Sequence, residues 1–385
     1  MRAGLVVLLL GGCQTLFGID KDPDKLTDGM TGDARECWGT DIEICVRPPS
    51  TEMRTLSGTL DTGSQCDVVE DDLCIVAGTD VTIGNLRVFG PRPLVVVANG
   101  KLTVTGPLDA ASHRTGANQT GPGVGAVAAM CAPFAGAPSF QSTNGGGAGG
   151  GAGGGAGGAF FGAGGNGGAS ESGALIGRAA PKLDPAFRAG CAGQDGGRRT
   201  GSTLIAAGGN GGGAVYLLSS VQIEVSGAIN ASGAAGDSGK CFRCAPTNPT
   251  TPEGLDDAEA FGGGGGGAGG AIILEAPEIA ITTSGVVFAD GGGGGQGASR
   301  SNAGEVGTDP TGTIAAFGGR GSDSGGTGPK HGGNGGAGAH DATPGATATD
   351  GDSDPPGGGG GGGGGAGYVK TIGALTNMGT ISPAP

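Results

Sequence analysis

The chain has 385 residues, of which 95 are glycine and 22 proline, with eleven phenylalanines, two tyrosines, one tryptophan and a formal charge of −14. So few aromatics exclude a conventional globular core of this length, and the lack of a strict Gly-X-Y period excludes a collagen triple helix. The acidic balance argues against binding nucleic acid or anionic lipid through a basic face, and scarce helix formers point to an all-β fold.

The chain starts Met1-Arg2, continues with an apolar run from Ala3 to Leu10, and reaches Gly11-Gly12-Cys13. One positive residue, a short hydrophobic stretch and small residues at the cut describe an export signal over residues 1–12. With Leu10 three residues before the cysteine and Gly12 directly before it, the segment resembles a bacterial lipobox. That resemblance implies that Cys13 carries lipid, palmitate included, and becomes the mature N-terminus. Gln14 follows rather than Asp, which by resemblance to the enterobacterial sorting rule implies the outer membrane. A chance apolar start with a buried cysteine is the alternative. No stretch supplies the roughly 20 apolar residues a spanning helix needs.

Setting Cys13 aside leaves eight cysteines: Cys37, Cys45, Cys66, Cys74, Cys131, Cys191, Cys241 and Cys244. An even number suits an oxidised, exported protein. Spacing favours Cys37 with Cys45, Cys66 with Cys74 and Cys241 with Cys244, which leaves Cys131 and Cys191 to bracket the first glycine-rich excursion. Residues 13–54 hold Asp20, Asp22, Asp24, Asp28 and Asp33 with little apolar periodicity and read as an acidic, cysteine-containing tether.

From residue 55 to 385 short β-branched runs predict strands. One unit recurs four times. It opens with an apolar strand (Leu94–Val97, Ala214–Leu218, Ala271–Leu274, Tyr368–Val369). Glycine then stands four residues beyond an apolar position, pairing Leu102 with Gly106, Ile223 with Gly227, Ile281 with Gly285 and Leu375 with Gly379. Two residues past each glycine stands Leu108, Ile229, Val287 or Ile381, and two further on Ala110, Ala231, Ala289 or Pro383. Such units cannot bury their apolar half alone and must stack. The expected fold is a right-handed parallel β-helix with long glycine-rich loop insertions, the corner glycines supplying positive φ. An antiparallel sandwich has the same alternation but needs hairpin turns that are missing here. The insertions, about 144–170, 262–270, 291–297, 318–339 and 357–367, leave one side of the stack. With no side chains to bury they are expected to be mobile unless their backbones pack on one another, and Phe160-Phe161 is placed to pin one of them.

The lipobox, the acidic tether, a PLVVVA strand, a DAASHR corner and GGxGGAG inserts together resemble glycine-rich lipoproteins of myxobacteria. Pro93–Arg114 and Gly211–Gly236 carry the likeness. It implies a pectin-lyase-like parallel β-helix and no assigned activity.

Candidate chemistry is sparse. Cys241-Phe242-Arg243-Cys244 has redox or zinc spacing but lacks a second pair, so a structural disulfide is expected. Gly318-Gly319-Arg320-Gly321-Ser322-Asp323 begins like a calcium-binding β-roll repeat without a second copy, and Asp20, Asp22 and Asp24 fail the EF-hand pattern at Lys25 and Thr31. No metal or cofactor is therefore expected. Asp109, His113 and Arg114 could contact carbohydrate, but the equivalent ladder Asp109, Asn230, Phe288, Ser382 repeats no acid pair. The expected function is an exported, lipid-anchored envelope protein with a structural, adhesive or binding role and no catalysis. Its partners are the membrane through its lipid and envelope polysaccharide, not nucleic acid. The alternative is a polysaccharide lyase or hydrolase on the same scaffold. Convergence of Asp109, His113 and Arg114 in a concave site with another carboxylate within hydrogen-bond reach would make that alternative the better reading.

Overall fold

Alternating β-branched runs punctuated by Gly, Pro and Asn form strands throughout, because a pleated, half-buried surface suits them. The computed structural model describes residues 36–46, 53–116, 118–124, 131, 152–169, 187–198, 204–242, 259–299, 302–320, 332–340 and 357–385. Cys13, the signal and the acidic run lie outside these residues. In chain order the strands are β1 (Glu36–Trp38), β2 (Ile44–Val46), β3 (Arg54–Asp61), β4 (Val68–Glu70), β5 (Leu73–Gly78), β6 (Val81–Phe89), β7 (Leu94–Ala98), β8 (Lys101–Val104) and β9 (Leu108–Asp109). They continue with β10 (Ala214–Ser219), β11 (Gln222–Val225), β12 (Ala228–Asn230), β13 (Cys241–Phe242) and β14 (Glu259–Ala260). Last come β15 (Ala271–Ile281), β16 (Val286–Phe288), β17 (Tyr368–Asn377) and β18 (Thr380–Ser382). The fold is all-β, with one large, mostly parallel sheet of 14 strands.

Three parallel ladders build that sheet. The first runs β5, β7, β10, β15 and β17, with Cys74, Leu94, Val215, Ile272 and Val369 in register. The second joins the start of β6 to β8, β11 and the far halves of β15 and β17, aligning Leu102, Ile223, Ile279 and Leu375. The third joins the end of β6 to β9, β12, β16 and β18, aligning Leu86, Leu108, Ile229, Val287 and Ile381. β3 lies on the outer edge of β6. Side chains from all three ladders meet in one buried cluster, where each large aliphatic contributes about 1.5–3 kcal/mol.

The repeat pairs in parallel as its sequence demands, with three corrections. Ile279, not Ile281, stands in register with Leu102 and Ile223, because the third corner (282–285) is two residues longer than its counterpart at 226–227. The last copy is not sealed: Leu375 is 37% exposed, while Leu102 and Ile223 are fully buried. An earlier copy, β5 and β6, also belongs to the stack; there Val81 precedes Gly84 by three residues rather than four, which hides it from the pattern. The corner glycines are required for a different reason from the one expected. Among the described residues positive φ occurs elsewhere, at Gly39 and Gly90 for instance. At the corners the chain stacks too closely for a side chain: a Cβ on Gly227 would lie 2.3 Å from the Gly106 oxygen, and one on Gly379 would lie 2.2 Å from the Gly285 oxygen.

The outward face of the first ladder is also covered. The β1–β2 hairpin, closed by the Cys37–Cys45 disulfide, lays Ile44 and Trp38 against Ile75, Val95, Val97, Tyr216, Leu218 and Ile273. Burial on both faces explains why β7 reads as an unbroken apolar run rather than an alternating one.

The described glycine tracts pack backbone on backbone, the condition under which they escape mobility; 144–151 and 321–331 lie outside the described residues. In 262–270 the N–H groups of residues 262, 265 and 268 bond to the carbonyls of 197, 194 and 191. Those of 263, 266 and 269 bond to 359, 362 and 365, and those of 264, 267 and 270 to 237, 234 and 231, all at 2.8–3.0 Å. A repeat of three is that of the polyproline-II helix, which has no internal hydrogen bonds and here finds its partners in neighbouring segments. Cβ atoms built on Gly265, Gly266 and Gly267 would strike Ala156, Gly292 and Asn210 on three further segments. The helix therefore has six neighbours. All three excursions leave after the third ladder and return into the first: 110–213 into β10, 231–270 into β15 and 289–367 into β17. Phe160 is fully buried beneath the Arg188 guanidinium, 4.4 Å from its ring centre, and Phe161 meets Tyr368, so this pair does pin the first excursion.

Candidate functional site

The third ladder ends in the four positions expected to align, with Asp109, Asn230, Phe288 and Ser382 side by side. Asp109 and Asn230 each accept the N–H two residues on, from Ala111 at 3.2 Å and Ser232 at 3.0 Å, which turns the chain into the bundle. Beyond Asp109 the next turn brings His113 back, and its Nε2 lies 2.9 Å from an Asp109 carboxylate oxygen. Arg87 of β6 reaches the other oxygen at 3.2 Å and donates to the Ala111 carbonyl at 2.7 Å.

A second carboxylate converges on this imidazole. Asp309, on a rim segment of the bundle, places Oδ2 3.6 Å from His113 Nδ1. The same oxygen accepts the Arg114 main-chain N–H at 3.1 Å, and Oδ1 accepts the Ala235 N–H at 2.8 Å. Arg114 thus joins the cluster through its backbone. Sequence reasoning found Asp109, His113 and Arg114 but missed Asp309 and Arg87. Arg114 and Asp309 are 195 residues apart, and no local pattern marks a contact at that distance.

The electrostatics set what the cluster can do. His113 is pushed up to about 9, first by its hydrogen bond to Asp109 and then by the Asp309 carboxylate facing Nδ1 at 3.6 Å, against the opposing effect of burial. Burial is the largest single effect and pushes both carboxyls up, but the lowering effects together outweigh it: His113, Arg87 and the Ala111 N–H at Asp109, and His113 with the Ala235 and Arg114 N–H groups at Asp309. At neutral pH the group is an imidazolium clamped between two carboxylates. Nε2 is hydrogen-bonded to Asp109, Nδ1 faces Asp309 across 3.6 Å, and neither carboxyl holds a proton to give. It joins the ladder, the 231–239 segment and the 302–309 segment as an ionic staple.

A second constellation was not foreseen. Asp290, fully buried, receives the Ser382 hydroxyl and faces His340 Nδ1 at 3.0 Å, and Ser382 Oγ lies 3.1 Å from that same nitrogen. A hydrolytic triad has its serine and acid on opposite ring nitrogens. Here both meet Nδ1 and the serine donates to the acid, so the arrangement ties the last strand to the bundle rather than activating a nucleophile.

Three disulfides are formed as expected: Cys37–Cys45, Cys66–Cys74 and Cys131–Cys191. Cys241 is also disulfide-bonded, and Cys244 lies outside the described residues. Among the described residues Cys37, Glu43 and Cys45 come within metal-binding distance of one another, but the two sulfurs are spent in their bridge. Also among the described residues, no helix is long and apolar enough to cross a membrane. No protein-family model matches the chain, and no curated protein or solved structure is significantly similar to it.

Proposed function

We propose that the chain is an exported, lipid-anchored protein of the cell envelope, structural, adhesive or binding in role and without catalytic activity. On this reading the three ladders are the walls of a right-handed parallel β-helix, the sense that the crossover rule favours for parallel strands. The observation that carries export is the oxidised cysteine set. Bridges such as these persist in oxidising compartments and are rare in the cytosol. Cys13 behind Leu10-Gly11-Gly12 supplies the anchor, and the resemblance to glycine-rich myxobacterial lipoproteins agrees with it. One acyl chain binds a membrane only marginally, so two or three are required for stable attachment. The pairing of the His113 imidazolium with both Asp109 and Asp309, neither of which holds a proton to give, supports a role without catalysis.

The test is fractionation of the exported protein together with mass analysis of its N-terminal peptide. A Cys13→Ser variant loses the lipid mass and leaves the membrane fraction, whereas a variant that fractionates as wild type refutes the anchor. A polysaccharide-active enzyme is the second reading, favoured by the convergence of Asp309 on His113. Release of reducing ends from envelope polysaccharide, abolished by Asp109→Asn, would establish it.

A further inference from the structure

At the seam where the disulfide hairpin overlies the first ladder there is an open cleft of about 290 Å³. Its walls are Trp38 on the hairpin, Leu218 on β10, Pro277 on β15 and Ile372 on β17; its polar side chains are Ser219, whose hydroxyl is bonded to the Gly100 carbonyl, and Glu275, its charged group. The cleft exists because β15 bulges against β17 between Glu275 and Glu278, a device that re-aims side chains beside binding sites.

Glu275 is the unusual feature. Its residue is only 9% exposed, and among the described residues its hydrogen-bond partners are two neutral donors: the Thr40 N–H at 2.8 Å and the hydroxyl of Tyr216. That hydroxyl is itself pushed far up by burial and by the carboxylate it serves, so it stays a neutral donor. Lys370 on β17 bonds to Asp41 and reaches Glu275 only through its field, not as a direct ion pair. Glutamate is rarely buried without a paired cation, because an uncompensated charge in an apolar setting is costly. Two hydrogen bonds leave further acceptor capacity on an ionised carboxylate.

The geometry points to a binding site for a small alkylammonium group, seated on the Trp38 ring with Glu275 as its counter-charge. An indole face attracts cations, and aliphatic walls accept the methyl or methylene groups that such a ligand carries. The chain's charge of −14 draws cations and repels anions. The volume fits a head group of a few heavy atoms rather than a polymer. The site is independent of the lipid anchor, so loss of one leaves the other standing.

Trp38 is the only tryptophan in the chain, so its emission reports on this cleft alone. The full chain is titrated with tetramethylammonium, with choline and with dimethylbutanol, the uncharged isostere of choline. The expected result is a saturable change with both cations, and binding about tenfold or more weaker for the alcohol. Glu275→Gln keeps an acceptor for Tyr216 and should weaken the cations to the level of the alcohol. Equal binding of alcohol and choline by the wild-type chain would overturn the proposal without reference to any variant. So would an unaltered titration of Glu275→Gln, or the lack of any saturable change.

Discussion

Replacing Gly264 by alanine tests whether the bundle is held by backbone contact. The added Cβ would sit 2.1 Å from the Ala207 carbonyl oxygen and 2.6 Å from its carbon. Ordinary contacts begin at 3.4 Å, so one helix must move by more than an ångström. It cannot do so by changing a rotamer, because the atoms in the way are main chain. The movement would strain two hydrogen bonds of 2.9 Å, Gly264 N–H to Asp237 and Asp237 N–H to Ala207. Overpacking by one methyl costs about 1–3 kcal/mol, and each weakened bond adds up to about 1 kcal/mol. The stiffer unfolded chain offsets at most about 1 kcal/mol of that. Gly264→Ala should therefore destabilise by about 2–4 kcal/mol in urea unfolding of the oxidised protein. Gly84→Ala is the control, since its Cβ would meet nothing nearer than 3.8 Å and should change stability by about 0.5 kcal/mol or less. If Gly264→Ala behaves like Gly84→Ala, the tracts are not close-packed and the account of the bundle is wrong.

The folded pKa of His113 lies above its unfolded value of 6.5, so its contribution is complete below about pH 6.5 and is lost as pH rises through about 9. With the imidazole about one-third exposed, that loss should be about 1–2 kcal/mol in urea midpoints taken across this window, and absent in His113→Gln. Asp109 and Asp309 are held below 3.8, so their share is complete above that pH and is lost under stronger acid; Asp309→Asn should flatten the acid limb of the same curve. Removing the Cys131–Cys191 bridge, which spans 60 residues, should cost about 4 kcal/mol by loop entropy, read as the gap between oxidised and doubly substituted chains. Leu102→Ala, fully buried, should cost about 2–5 kcal/mol, while Leu375→Ala at the open end of the stack should cost less than about 1 kcal/mol by the same assay.

The ladders were legible because stacking forces side chains of like kind into register. Leu108, Ile229 and Val287 could be aligned by eye from a glycine two residues before each. The register failed where corner length varied, since a four-residue offset cannot see two added residues at 282–285 or one missing before Gly84. Cys37–Cys45 and Cys66–Cys74 were legible from spacing because neighbouring cysteines close small loops, and Cys131–Cys191 followed by elimination. Asp309, Glu275 and Asp290 were not, since each works through contacts between excursions or between ladder and hairpin. The polyproline-II packing was hidden for another reason. A homopolymeric run has no periodicity to read, and only its less pure neighbours carry the repeat of three.

Those neighbours show what the composition encodes. On 231–239 the glycines that face the central helix are 233, 236 and 239, whose Cβ atoms would strike 267, 264 and 261; on 190–196 they are 190, 193 and 196, striking 269, 265 and 262. One glycine in three serves one crowded face, and the remaining positions are free to carry Ala234, Asp237 or Gln194. A helix surrounded on all sides needs glycine on every face, which is what 262–267, 291–295 and 357–365 supply. Local glycine density is therefore a measure of depth in the bundle. Purity marks the centre, not the mobile tip. The 3-fold helices also pair main-chain donors between segments without a side-chain core, so the described tracts become hydrogen-bonded extensions of the ladders. Long extensions built almost wholly of backbone present little chemistry of their own. That is why the polar clusters sit at the junctions between ladder, hairpin and bundle, where side chains reappear, and why a ligand is to be sought there rather than along the glycine tracts.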